Sequence, residues 1–160
     1  MIFDVTTMVG FHTVISLVAL LAGAVVVLGM AGNADMPAVS ALFLVTAVVT
    51  SVTGFLLPAD RVLPSHIFGV VSLVALAAAI AARYAFSFRG GWRVTYALCV
   101  VLATWLDAFV AVFQTFLKVP SITALAPTQS EPPFAIAQGV ALLVFIVLAV
   151  LAARRFRPLG

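Results

Sequence analysis

The chain has 160 residues, 65% of them hydrophobic and 8% charged, whereas soluble domains carry roughly 25% charged residues, so a water-soluble domain is excluded. A nucleic-acid binder is excluded too, because the net charge is only +3 and the basic residues stand at the ends of apolar runs, not along one face. The one cysteine, Cys99, rules out an internal disulfide, a paired-thiol redox motif and a cysteine-held iron–sulfur cluster.

A membrane helix needs about 20 mostly apolar residues, since about 30 Å of hydrocarbon is crossed at about 1.5 Å per residue. The first such run covers 8–30. It follows Asp4 rather than a basic stretch, and it exceeds the apolar core of a leader peptide, so a retained helix is expected. AGNADMP separates it from a second run at 38–57, and PADRVLPS leads to a third at 65–86. FRGGWR precedes the fourth, 92–118, and a proline-rich stretch from Val119 to Pro133 precedes the fifth, 134–154. Backbone amides in lipid must be paired within their own segment, and the alternating pattern of a barrel is missing. The expectation is an all-α, five-helix transmembrane bundle forming one integral membrane domain over 1–160. Prolines 58, 64, 120 and 133 fall at span ends, where a lost amide hydrogen is tolerated, and Ser65 and Ser130 are candidate helix caps.

Orientation follows from lysine and arginine. Arg83, Arg89, Arg93, Arg154, Arg155 and Arg157 fall on one side, and only Arg61 and Lys118 on the other. The expected topology is N-terminus outside and C-terminus in the cytoplasm, across a bacterial cytoplasmic membrane. The loops at 58–64 and 119–133 then face outward.

Polar groups inside a membrane are costly, so each is a candidate for function. They collect near the outer side: His12 in the first span, His66 in the third, Gln114 and Lys118 in the fourth, with Asp60, Arg61, Glu131 and Gln138 at that surface. Asp107, Gln114 and Lys118 are seven and eleven residues apart and share one face of the fourth helix, as does Tyr96. Asp107 is the acid nearest mid-membrane. It either hydrogen-bonds a neighbour such as the Thr46–Thr50–Thr53 face of the second span, or serves as a proton relay or ligand group. Glu131 and the loop around it either cover the outer site or simply connect two spans.

Two histidines at one depth on two helices suit the axial ligation of one b-type haem, each imidazole supplying a nitrogen. Zinc or copper on His12 and His66 would want further ligands, and a structural role for both is the plain alternative. SLVAL follows both histidines, but the register slips by two residues, a weak sign of duplication.

The pattern His12-x-x-x-Ser16-Leu17, Thr53-Gly54-Phe55, Pro64-Ser65-His66-Ile67 and Ala81-Ala82-Arg83-Tyr84 resembles small multi-pass bacterial membrane proteins of unknown function, which are distantly similar to b-type cytochrome bundles. The resemblance covers roughly residues 10–86. It implies His12 and His66 as haem ligands. Two-haem bundles of that kind carry four histidines; this chain has two, so one haem is its limit.

Three functions are therefore in play, none of them requiring an enzyme. One is a redox-accessory protein with an outer pocket for haem b or another ligand, using Asp107, Gln114, Lys118 and Glu131 as polar lining. Another is a small proton-coupled transporter or channel working through Asp107. The last is a cofactor-free scaffold in a larger membrane complex or homo-oligomer.

Overall fold

The computed structural model describes residues 4–57 and 64–158. Asp60 and Arg61 lie outside them. Six helices follow in order: α1 (Met8–Ala31), α2 (Pro37–Leu56), α3 (Pro64–Ile80), α4 (Trp92–Lys118), the single turn α5 (Pro120–Thr123) and α6 (Pro132–Arg155). A π-helical turn, Ala81–Ala85, extends α3. Five of these helices, counting α3 with its extension, are long and apolar enough to cross a membrane.

Local chemistry sets the boundaries. Thr7 caps α1, its hydroxyl accepting from the Gly10 amide at 3.1 Å. At the other end Asn33 takes the left-handed conformation (φ 64°), and Ala34 N–H reaches back to the Gly29 carbonyl at 2.8 Å. That doubling-back satisfies carbonyls the helix would leave bare. Proline opens α2, α5 and α6, where its missing amide hydrogen costs nothing. Glu131, rather than Ser130, occupies the capping position of α6.

α1 to α4 close a ring in which each packs on the next and α4 returns to α1, while α6 lies outside, against α4 and α1. At the centre Gly23 lets α1 approach both partners. A Cβ there would stand 2.6 Å from Thr104 Oγ1 and 2.8 Å from the Phe43 ring. Close backbone approach of this kind holds helices together where lipid removes the hydrophobic drive.

The two ends of the bundle differ inside. Toward the arginine-bearing end the core is mostly apolar: Val26, Val27, Met30, Phe43, Leu76, Ala79 and Val100 are buried, with Ser40 and Tyr96 as buried polar side chains among them. Toward the histidine-bearing end the buried positions include Thr46, Thr50, Ser51, Thr53 and Ser72. Large apolar side chains such as Leu21, Val45, Val74 and Leu143 point outward, the surface expected where the solvent is hydrocarbon.

Candidate functional site

His12 faces α2. Its Nδ1 lies 2.9 Å from Thr53 Oγ1, and Gly54 lies beside the ring. Thr53 donates its own hydroxyl proton to the Val49 carbonyl at 2.7 Å. Its oxygen therefore accepts from Nδ1–H, which makes Nε2 the basic nitrogen of His12. His66 also packs on α2, its ring stacked on Phe55 with centroids 5.6 Å apart and planes 13° from parallel. Thr53 and Phe55 point about 200° apart around α2. The two imidazoles are thus held on different flanks of one helix. An iron shared between them would require them to face one point instead.

Of the α4 stripe, Asp107 and Gln114 are half-buried and Lys118 is exposed. Counting about 1.5 Å per residue from the Gly23–Thr104 approach, Asp107 and Thr46 lie at one level about 4.5 Å toward the histidine end. By the same count Gln114, Thr53 and His12 share a level about 15–17 Å along. Lys118 is exposed at the end of α4. Among the described residues, five side-chain atoms are buried without a hydrogen-bond partner: Thr50 Oγ1, Trp105 Nε1, Asp107 Oδ2, Gln114 Oε1 and Gln138 Oε1. The Gln138 amide donates to the Phe109 carbonyl at 3.1 Å, tying α6 to α4. Buried polar atoms are nearly always paired with protein or water. Each is a point at which the protein alone supplies no partner. Three or more metal-ligating side chains do not gather anywhere among the described residues.

Glu131 stays out of this interior and holds its own loop together. It accepts from the Thr128 amide and hydroxyl (3.2 and 2.8 Å) and from the Ser130 amide (3.1 Å). What desolvation it suffers favours the protonated acid, but these hydrogen bonds outweigh that and hold its carboxyl below the ordinary range. A depressed folded-state pKa means the bonds are present at neutral pH and lost as pH falls through it. Amide protection at Thr128 and Ser130 is expected to vanish on acidification, and in Glu131→Ala at neutral pH; hydrogen exchange measures both.

The arginine end contains a cluster that sequence reasoning did not foresee. Arg83 reaches Asp35 through two hydrogen bonds of 2.9 and 3.3 Å and approaches the Tyr96 hydroxyl at 3.4 Å. Its guanidinium also lies 5.2 Å from the Phe88 ring centroid and 5.6 Å from that of Tyr96. The π-turn carries Arg83, and left-handed Ser87 and Phe88 (φ 46° and 59°) then fold the chain so that the Phe88 ring meets Tyr96 and Phe156. Tyr96, read from the sequence as part of the Asp107 stripe, is fully buried and belongs to this cluster. The available signal was charge: Asp35 is the lone acid on the side where the arginines gather.

Ring-packed apolar helices around a polar half-interior define a polytopic α-helical membrane protein. Compared with protein-family models, curated proteins and solved structures, the chain matches none of them.

Proposed function

We propose that this integral membrane protein is a small proton-coupled transporter or channel, with Asp107 as the group that takes up and releases the proton. The observation that carries this reading is the buried, unpartnered Oδ2 of Asp107, in a bundle half that also buries unpaired Thr50 and Gln114 oxygens. A membrane chain retains a carboxyl at that depth at considerable cost, and protein groups alone leave it unsatisfied. His12, Gln114 and Lys118 extend the polar lining to the histidine end, which is the outer face in the expected orientation. Lys118 places positive charge at the mouth.

Vesicles loaded with a pH-sensitive dye test this. The wild type is expected to dissipate an imposed pH gradient, and Asp107→Asn to slow it at least about tenfold, as loss of an obligatory proton carrier would. Thr13→Ala, whose hydroxyl only bonds back to the Val9 carbonyl, is expected to be unchanged. Equal flux in wild type and Asp107→Asn overturns the proposal.

One b-type haem shared by His12 and His66 is disfavoured by the placement of the two imidazoles on different flanks of α2. A colourless folded protein from haem-replete cells is expected, and a Soret band lost in both His12→Ala and His66→Ala would overturn that expectation.

A further inference from the structure

We propose that the groove between α4 and α6 at the arginine end is a binding site for one anionic phospholipid, with an acyl chain in the groove and the phosphate on Arg154. The groove has a volume of about 310 Å³ and is lined by Leu98, Ile146, Ala149, Val150, Ala153 and Arg154. Five of those six are apolar, and the sixth is a cation in the last turn of α6, where a headgroup would lie. Small residues on α6 keep the floor open: Ala149 and Ala153 stand where larger side chains would close it.

Charge identifies the occupant. Asp35 is the acid of this end, and it is spent on Arg83, the one ion pair among the described residues. Arg89, Arg93, Arg154, Arg155 and Arg157 share the same end without a carboxylate. Arg93 has a separate duty: it donates to the Ala153 carbonyl at 3.0 Å and to the Phe156 carbonyl, capping the exposed end of α6. The Ala153 and Phe156 carbonyls are therefore met without Arg154, whose exposed side chain is available to a phosphate. Basic pockets between membrane helices recognise acidic headgroups in this manner. A neutral or zwitterionic lipid would leave the excess positive charge unanswered.

Delipidated protein in mild detergent, titrated with phosphatidylglycerol or with phosphatidylcholine of identical chains and read by native mass spectrometry, tests the site. One phosphatidylglycerol is expected to be retained in preference to phosphatidylcholine. Arg154→Gln is expected to weaken that retention about fivefold, in line with one interfacial cation, while Arg89→Gln changes it little. Ala149→Trp, which fills the groove, is expected to abolish retention of a single lipid. Equal retention of the two lipids, or equal loss from Arg154→Gln and Arg89→Gln, overturns the proposal in favour of diffuse charge attraction. Unchanged retention in Ala149→Trp overturns the groove as the seat of the chain.

Discussion

Replacing Arg83 with alanine is expected to destabilise the protein by about 2–4 kcal/mol, the largest loss of any single charged side chain. The Arg83 side chain is 7% exposed and that of Asp35 28%, so the pair is mostly but not wholly out of water. Alanine leaves the Asp35 carboxylate half-sheltered with no cation and takes away the guanidinium beside the Phe88 and Tyr96 rings. Contacts of that second kind are worth about 0.5–2 kcal/mol each. Asp35→Asn is expected to cost less, because the arginine keeps its aromatic neighbours and the Tyr96 hydroxyl. The double variant Arg83→Gln/Asp35→Asn is expected to lose less than the two single changes added together, since neither partner is left alone. Thermal unfolding in detergent measures all three. An Arg83→Ala protein that melts with the wild type would reduce the cluster to a surface contact.

Gly23→Val is the second large effect. A Cβ on α1 at this point stands 2.6 Å from Thr104 Oγ1, 2.8 Å from Phe43 and 2.9 Å from Thr104 Cγ2, so α1, α2 and α4 cannot all keep their places. Overpacking of a core costs about 1–3 kcal/mol, and valine adds two methyls beyond that first clash. Gly23→Ala is expected to show the lower end of that range. Pairing it with Thr104→Ala removes two of the three obstructing atoms and is expected to recover most of the loss. A neutral Gly23→Ala, or a double variant no better than the single, would mean that the helices do not approach so closely here. Any shift between α1 and α4 also moves Asp107, one turn from Thr104. Gly23→Val is therefore expected to lower the dye-reported flux along with stability.

The reading of the spans owed its success to the additivity of hydrophobicity and to the fixed rise of a helix. The fourth helix runs Trp92–Lys118, the range expected; the first differs by one residue at its C-terminal end and the second by one residue at each end. The turn α5 was not foreseen, because four residues carry too little periodicity to register. The polar half of the bundle was legible as a level, since each of His12, Gln114 and Asp107 could be placed by counting from a span end. Their partners were not legible. His12 meets Thr53 across 41 residues, and His66 stacks on Phe55. Glu131 sat at the expected surface, yet hydroxyls and amides one to three residues away captured it before any pocket could.

Composition and run length alone determined the solvent of this protein, its five crossings and the segregation of six of its seven arginines from its histidines, because each is a local property summed along the chain. Only the packed bundle decided that Gly23 would stand where α1 meets both α2 and α4 and that Arg83 would find Asp35 from 48 residues away. It alone left an Asp107 oxygen unpaired. Helix adjacency and side-chain direction come from which faces meet, and a face has no partner until the other helices are in place.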